Sequence, residues 1–250
     1  IQISEALHEK KIAYIADEII RNKKRIILIS GPSSSGKTSF AKRLSIQLRV
    51  GGEKALCLGT DDYFVERHQT PILPDGTPNF EDIEALDINL FNENINDLLS
   101  GKETDLPSFD FFEGKKRYGE KISRISDNQP IIIEGIHSLN KKLSAGIDDD
   151  EKYKIYISPF TQLNIDNHNR IPTTDARMLR RIVRDHQFRG YNAGRTIEQW
   201  KKVRAGEDKN IFPFNGEAYM LFNSAHIYEL AVLKKYVEPM LLAIGQEDGA

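Results

Sequence analysis

The sequence has little of what marks a secreted or zinc-stabilised protein. Its 250 residues include one cysteine, Cys57, so no disulfide can form within the chain. Cys57 stands in the apolar run 55–58, where we expect a buried core thiol rather than a reactive one. The six histidines lack the spacing of zinc ligands. These absences argue against a zinc site and favour a reducing compartment, which we expect to be the cytoplasm.

Long apolar runs and a strong excess of one charge are also missing. We expect no secretory leader. No apolar run approaches the about 18 residues that a membrane-spanning helix needs, so we also expect no membrane partner. The formal net charge of −2 gives no overall attraction to nucleic acid or to a membrane surface. With 39% hydrophobic and 29% charged residues, the chain can bury a full core as one large domain or as a domain with a lid.

A complete phosphate-binding pattern is the strongest signal in the chain. Residues 31–38 read Gly-Pro-Ser-Ser-Ser-Gly-Lys-Thr, between an apolar run at 26–29 and a helical pattern. The glycines let several backbone N–H groups converge on phosphate oxygens, and the N-terminus of the following helix adds positive charge. A Gly/Ser-rich turn that matches by chance is the alternative, but the flanking strand and helix favour a nucleotide loop. The residues expected to bind ATP here are Gly31, Ser33, Ser34, Ser35, Gly36, Lys37, Thr38 and Ser39.

Alternating apolar runs and helical patterns predict an α/β fold of the P-loop NTPase type. We expect a parallel sheet with helices on both faces and a helical, arginine-rich lid. A loop containing Pro107 is expected to lead through the aromatic residues 109–112. Strands are predicted at 25–30, 54–60, 130–134, 153–158 and 218–222, and helices at 4–22, 37–50, 87–100, 161–169, 174–188, 196–204 and from about 227.

Carboxylates follow two of the predicted strands. Asp61 and Asp62 come directly after the second strand, and Glu134 closes the third. Ligands of such sheets bind at the carboxyl ends of the strands, the edge that also carries the phosphate loop. A carboxylate there can hold Mg²⁺ or accept a proton from an attacking hydroxyl. Capping of a loop by the two aspartates is the alternative, and the shared edge favours a functional role.

A run of arginines predicts the lid. Arg177, Arg180, Arg181 and Arg184 recur every three to four residues, which places them along one side of a helix. Guanidinium groups brought over a transferring phosphoryl group would stabilise its charge and exclude water. We expect these arginines to repel one another until a triphosphate binds, so that the lid is mobile without nucleotide. A solvated face or a nucleic-acid patch is the alternative. The near-neutral charge and the lack of interleaved aromatic residues argue against a nucleic-acid partner.

Together these segments resemble the uridine kinase and phosphoribulokinase family of P-loop kinases over roughly residues 25–244. The resemblance rests on the phosphate loop, Asp61-Asp62-Tyr63-Phe64, Asn79-Phe80-Glu81, Ile-Glu-Gly-Ile-His at 133–137, and the arginine run. It is strongest to bacterial uridine-kinase-like proteins in which this domain follows a portion related to threonyl-tRNA synthetase. It implies an ATP-dependent small-molecule kinase with Mg²⁺. Residues 1–24 would end an upstream N-terminal domain, and residues 25–250 would form the kinase domain with a lid at about 174–204. A homo-oligomer is compatible with this assignment.

The resemblance also implies roles for individual residues. Asp61 would be the general base, Glu81 would contact sugar hydroxyls, and Glu134 would hold Mg²⁺ together with Thr38. Arg177 and Arg189 would join the loop in binding ATP. The implied catalytic residues are Lys37, Asp61, Arg181 and Arg184, and the implied acceptor contacts are Asp61, Tyr63, Phe64, Phe80, Glu81 and Phe109.

The sequence departs from the family pattern on the acceptor side. Uridine kinases carry Tyr-Asp-Phe followed by a base-recognising histidine, whereas residues 109–114 read Phe-Asp-Phe-Phe-Glu-Gly. Phe109 can stack but cannot donate a hydrogen bond, and Gly114 offers no side chain to a pyrimidine. We expect a nucleoside such as uridine or cytidine as acceptor, with a catalytically weak nucleotide-binding regulatory module as the alternative. A GTPase switch is disfavoured because the sequence has no Asn-Lys-x-Asp motif.

Overall fold

The fold is built on a parallel sheet of five short strands. The computed structural model describes residues 1–161 and 163–245 of the chain. Within them the strands are β1 (Ile26–Ser30), β2 (Leu56–Gly59), β3 (Thr104–Asp110), β4 (Lys115–Ser123), β5 (Ile131–Glu134), β6 (Lys152–Ser158) and β7 (Met220–Asn223). The helices are α1 (Gln2–Arg21), α2 (Lys37–Val50), α3 (Ile88–Leu99), α4 (Thr173–Arg189), α5 (Ala193–Asn210) and α6 (Glu229–Leu242). The parallel strands lie in the order β2-β5-β1-β6-β7.

Two apolar layers cover the sheet, one on each face. Alternate residues of β1 point to opposite faces, so Ile27 and Ile29 join a cluster with α1 and α2. Ile26 and Leu28 join the other cluster, which contains α3 and the 3₁₀ segments after β2. All five residues of β1 are buried, as expected for the central strand of a sheet that is covered on both faces. The predicted α/β fold with helices on both faces is confirmed.

An antiparallel hairpin, β3–β4, stands where the sequence predicts a loop. Thr104–Asp110 pairs with Lys115–Ser123, and the pairing register shifts between Leu106 and Ser108, on either side of Pro107. Proline cannot donate to a strand ladder and therefore suggested a loop. The second strand is almost entirely exposed and polar, so it shows none of the alternation that reveals a half-buried strand. The hairpin contributes two residues of its first strand, Leu106 and Phe109, to the core.

Two further expectations are wrong. Residues 163–170 contain no helix, only an isolated antiparallel bridge between Asn164 and Arg170, while residue 162 of the predicted helix lies outside the described residues. Cys57 is exposed, because β2 is the edge strand of the sheet and one of its faces is only partly covered. In the described part of the chain, no helix is long and apolar enough to cross a membrane.

Two helices form the region predicted as a lid. Helix α4 ends at Gly190, whose φ of +66° gives the left-handed C-cap that favours glycine. Helix α5 begins after Asn192, whose side chain accepts a hydrogen bond from Arg195 N at 2.8 Å. The short link between these caps makes α4 and α5 an antiparallel pair beside the carboxyl edge of the sheet.

Candidate active site

The phosphate loop connects β1 to α2 in an anion-binding conformation. Ser34 and Gly36 both have positive φ, +59° and +93°, which turns successive backbone N–H groups inward. The hydroxyls of Ser34 and Ser35 are buried, and neither has a hydrogen-bond partner among the described residues. Lys37 Nζ folds back over the loop and donates to the carbonyl oxygens of Gly31 (2.9 Å) and Pro32 (3.3 Å). Unpaired buried donors around a nest of N–H groups fit the phosphates of a nucleotide.

A carboxylate from the neighbouring strand meets the start of α2. Glu134 pairs with Ile29 in the sheet, and its Oε1 accepts a hydrogen bond from Thr38 Oγ1 at 2.7 Å. Burial raises the pKa of Glu134, and the positive charge of Lys37 opposes that rise. No group of three or more His, Cys, Asp or Glu side chains in the described ranges could hold a metal alone. Two hard oxygen donors fit Mg²⁺, which usually completes its shell with water and substrate phosphates.

Asp61 and Asp62 are neighbours with opposite surroundings. Both lie in the 3₁₀ turn Thr60–Tyr63 that follows β2. Asp61 is open to the cleft, yet the protein around its carboxylate displaces water and raises its pKa, while Lys37, Arg189 and Arg184 oppose that rise. Asp62 instead anchors the hairpin: its Oδ2 lies 2.7 Å from Lys121 Nζ, and its Oδ1 accepts from Phe109 N at 3.4 Å. Of these two aspartates, Asp61 is the one whose charge acts on Lys37 of the phosphate loop.

Glu81 is a second carboxylate in the cleft. Asn210 Nδ2 holds its backbone oxygen at 2.7 Å, which ties the segment to the end of α5. Its Oε2 is buried and has no hydrogen-bond partner among the described residues. Burial raises the pKa of Glu81 to about 7, although the nearby charges of Arg181 and Lys37 lower it. A buried, unsatisfied carboxylate beside the phosphate loop is suited to accept hydrogen bonds from a bound molecule.

Four phenylalanines pack against one another and form what we call the aromatic wall: Phe64, Phe80, Phe109 and Phe111. The ring centroid of Phe64 lies 5.9 Å from that of Phe80, 5.7 Å from that of Phe109 and 6.0 Å from that of Phe111. Phe64 and Phe109 are buried, whereas Phe80 and Phe111 are 42% and 58% exposed. The wall therefore offers exposed ring surface on which a flat molecule could stack.

Tyr63 does not join the aromatic wall. Its ring is 1% exposed and packs edge-on against Phe91 at 5.0 Å, and its hydroxyl accepts from Asn94 Nδ2 at 3.2 Å. Burial raises the pKa of this phenol to about 12. The structure thus places Tyr63 in the core and not among the acceptor contacts, since the turn after β2 directs its side chain inward.

Arg177 is hydrogen-bonded to the backbone of the phosphate loop. Its guanidinium forms a fully buried ion pair with Glu207 of α5, and its Nε donates to Ser33 O at 3.0 Å. Glu207 Oε1 in turn accepts from Ser33 N at 3.1 Å. At 1% exposure, Arg177 has no free face for ATP, so the expected phosphate contact by this residue is not supported. Its role is to position the loop.

Three further arginines of α4 share a buried carboxylate, Asp185, that was not among the predicted site residues. Asp185 is fully buried and lies 2.7 Å from Arg184, 3.2 Å from Arg181 and 3.6 Å from Arg189. Arg181 also donates to Ser33 Oγ at 2.8 Å. Asp185 therefore pairs with arginines that we expected to be unpaired without nucleotide, although Arg189 and Arg181 still repel Arg184. Positions 181, 185 and 189 are one helical turn apart, and that spacing was the available signal.

Arg180 also contacts the loop, and sequence reasoning gave it no individual role. Its guanidinium pairs with Glu229 of α6 and approaches Ser35 O at 3.3 Å. Ser224, just after β7, donates to the same oxygen at 2.6 Å. Helix α4, Glu207 of α5 and Ser224 after β7 therefore all hydrogen-bond to the loop, although they are distant from it in sequence. Lys37, Asp61, Glu81 and Glu134 meet in front of it, where the charges of the three carboxylates all act on Lys37.

Comparison with known proteins finds matches over most of the chain. Residues 26–230 match the family described as the phosphoribulokinase / uridine kinase family. A uridine kinase of Mycoplasma genitalium is 30% identical over 181 residues, which cover 72% of this chain and 75% of that protein. A uridine kinase of Ligilactobacillus salivarius is 28% identical, over 73% of this chain and 76% of that protein.

Solved structures share the fold. The structure of a possible uridine kinase from Bacillus stearothermophilus has a TM-score of 0.54 and 20% identity, covering 85% of this chain and 97% of that one. A D-glycerate 3-kinase from Cryptococcus neoformans has a TM-score of 0.55 and 12% identity, covering 79% and 87%. Both chains therefore show the same sheet-and-helix architecture. With its phosphate loop, strand-end carboxylates and matched relatives, this chain belongs to the phosphoribulokinase / uridine kinase family and is an ATP-dependent small-molecule kinase.

Proposed function

We propose that the protein transfers the γ-phosphoryl group of ATP to a hydroxyl of a nucleoside such as uridine or cytidine. The observation that carries this proposal is the aromatic wall, in which Phe64 follows Asp61 by three residues and Phe80 directly precedes Glu81. A nucleoside has a flat base that can stack and a sugar whose hydroxyls need hydrogen-bond acceptors. The relatives named uridine kinase support the same acceptor class.

Asp61 acts as the general base in this proposal. Its carboxylate is open to the cleft and lies near Lys37, Arg184 and Arg189, which favour its ionised form. An ionised carboxylate can take the proton of the acceptor hydroxyl as that oxygen bonds to the γ-phosphorus and the bond to the β-phosphate oxygen breaks. The proton ends on a carboxylate oxygen of Asp61, and the leaving group is ADP.

The positive side chains around the loop stabilise the charge of the transferring group. Lys37 would reach the β- and γ-phosphates. On α4, Arg181 donates to Ser33 of the loop, and the charge of Arg184 acts on Lys37. Arg189 is the most exposed of these arginines and would bind the nucleotide from the end of α4. Thr38 and Glu134 would hold Mg²⁺, which supplies charge neutralisation to the phosphates when bound.

The acceptor is held by Glu81 and the aromatic wall. The unpaired Oε2 of Glu81 would accept hydrogen bonds from sugar hydroxyls, and Phe64, Phe80 and Phe109 would line the base. Stacking on aromatic rings is sequence-tolerant, so it fits either pyrimidine. This arrangement orients one hydroxyl toward Asp61.

An acceptor screen tests the proposal. ADP formation from Mg²⁺-ATP is measured with uridine, cytidine, ribose or no acceptor, using the wild-type protein and Lys37→Ala. We expect the nucleosides to stimulate ADP formation well above the acceptor-free rate, and the Lys37→Ala variant to lose this stimulation. ATP binding without stimulation by any nucleoside would reject the proposal and leave a nucleotide-binding regulatory module as the better description.

A further inference from the structure

The aromatic wall is flanked by an arginine that the catalytic machinery does not use. Arg67 opens the short 3₁₀ segment Arg67–Gln69 that follows Phe64 along the chain. One of its terminal guanidinium nitrogens donates to Phe111 O at 2.6 Å, and its backbone N donates to Gly114 O at 3.0 Å. Phe111 belongs to the wall, so these two bonds fix Arg67 at its edge.

Gly114 makes room for this arginine. Gly114 has a φ of +70°, and a Cβ placed on it would lie 2.9 Å from both Cβ and Nε of Arg67 and 3.1 Å from its Cζ. The Arg67 side chain therefore occupies the volume that any side chain at position 114 would need. The guanidinium group of Arg67 therefore lies directly against position 114.

Arg67 also differs from the nearby Arg117 in that it has no acidic partner among the described residues. Arg117, on the same hairpin, pairs with Asp110 at 2.6 Å and with Glu113 at 3.2 Å. No carboxylate of residues 1–161 or 163–245 forms an ion pair with Arg67, whose side chain is exposed. A guanidinium carries five N–H donors and no acceptor, so donors beyond the bond to Phe111 are available to a ligand.

We propose that Arg67 is a specificity-determining residue that reads the edge of the acceptor's base and favours uridine over cytidine. The inference rests on the nucleoside acceptor proposed above. Uracil presents a carbonyl oxygen at position 4, which accepts a hydrogen bond, whereas cytosine presents an amino group, which donates. A guanidinium N–H can donate a hydrogen bond to the carbonyl oxygen of uracil. Against the amino group of cytosine it would place one donor opposite another. A site that offers only donors discriminates strongly because the wrong base leaves polar groups unpaired.

Steady-state kinetics with matched variants test the inference. The kcat/KM for uridine and for cytidine is measured for the wild-type protein, Arg67→Gln, Arg67→Lys and the control Arg117→Gln. We expect the wild type to favour uridine by about tenfold or more. In Arg67→Gln, kcat/KM for uridine should fall about 10- to 100-fold and the preference should approach one, with KM for ATP unchanged. Arg67→Lys should retain part of the preference, and Arg117→Gln should retain all of it.

Each outcome has a distinct meaning. A wild type that uses the two nucleosides equally, or an Arg67→Gln variant with the wild-type preference, would overturn the role of Arg67 alone. A wild type that phosphorylates neither nucleoside would overturn the proposed function, and the inference with it. Arg67→Lys keeps the test decisive if Arg67→Gln fails to fold, because it preserves the charge and a donor to Phe111 O.

Discussion

Two adjacent aspartates show how one residue step decides a chemical role. Asp61 points into the cleft toward Lys37, while Asp62 points to the hairpin and pairs with Lys121. We expect Asp61→Asn to lower kcat by about 10²–10⁴-fold with KM for ATP nearly unchanged, since the amide cannot accept the hydroxyl proton. The measurement is steady-state kinetics with saturating ATP and the best nucleoside.

Asp62→Asn is the matched control for this prediction. Loss of the Asp62 carboxylate should loosen the hairpin that carries Phe109. We therefore expect KM for the acceptor to rise while kcat changes only a few-fold. A greater loss of kcat in Asp62→Asn than in Asp61→Asn would reverse the two roles.

Glu81 combines a functional position with a cost to stability. Burial raises the pKa of this carboxyl from 4.5 to about 7, so the folded protein holds the proton more tightly than the unfolded chain. The free energy of unfolding therefore decreases as the pH rises from about 4.5 to 7, by an amount on the order of 1–3 kcal/mol. We expect Glu81→Gln, which has no charge to bury, to be more stable than the wild type at pH 8, to match it near pH 4.5, and to lose most activity.

Glu84→Gln is the control for Glu81→Gln. Glu84 is exposed and pairs with Lys142 at the surface, so its substitution should change neither stability nor activity measurably. Urea unfolding of the three proteins at pH 4.5 and pH 8 provides the comparison. If Glu81→Gln were less stable than the wild type by the same amount at both pH values, burial would not be destabilising the ionised carboxylate of Glu81.

At the scale of elements, the region predicted as a lid has one half bonded to the phosphate loop and one half exposed. The buried pair Arg177–Glu207 and the bonds from Arg180 attach the first half of α4 to the phosphate loop. The end of α4 and the link to α5 are exposed, and Arg184 and Arg189 there share Asp185. A bound triphosphate offers these two arginines a stronger anionic partner, which would order this end.

Hydrogen exchange tests this division. We expect amide exchange in residues 184–195 to slow on addition of Mg²⁺ and a non-hydrolysable ATP analogue. Residues 176–183 should be protected already without nucleotide and should change little. Equal slowing across 176–195 would indicate that the whole helix moves, and no change anywhere would mean that the arginines belong to a static surface.

The elements with strong periodic patterns could be predicted, and those without them could not. The continuous apolar runs at β1 and β5 and the amphipathic patterns of α2 and α4 predicted these elements to within a few residues. The β3–β4 hairpin gave no such signal, because its second strand faces solvent and Pro107 interrupts the first. The predicted helix at 161–169 was wrong because a helical pattern without apolar burial has nothing to pack against.

The same contrast holds for the candidate site. The phosphate loop and the strand-end carboxylates follow from short motifs and from the rule that ligands bind at the carboxyl edge of a parallel sheet. The roles of Glu207 and Arg67 depend on contacts across long stretches of chain, such as Glu207 with Ser33. No local pattern encodes such contacts, so they require the structure.

At the scale of the whole molecule, the sheet order assembles the site. Strand β1 lies between β5 and β6, so the loop that follows it faces Glu134 on one side and the helices after β6 on the other. The chain passes from β1 to β2 toward one edge of the sheet and from β5 to β6 toward the other. This reversal beside β1 opens a crevice at the carboxyl edge. Helix α1 covers the same face of the sheet as α2. Its Ile12, Ile15 and Ile19 pack in one cluster with residues of α2.

Transfer of labelled phosphate tests the central claim most directly. The wild-type protein is incubated with Mg²⁺, ATP labelled at the γ-position and uridine or cytidine, and the products are separated, with Lys37→Ala as the control. We expect label to appear in a nucleoside monophosphate in step with ADP formation, and we expect Lys37→Ala to transfer none. The proposed phosphoryl transfer would be contradicted by wild-type protein that binds ATP but, with either nucleoside present, leaves the label in ATP or releases it only as inorganic phosphate.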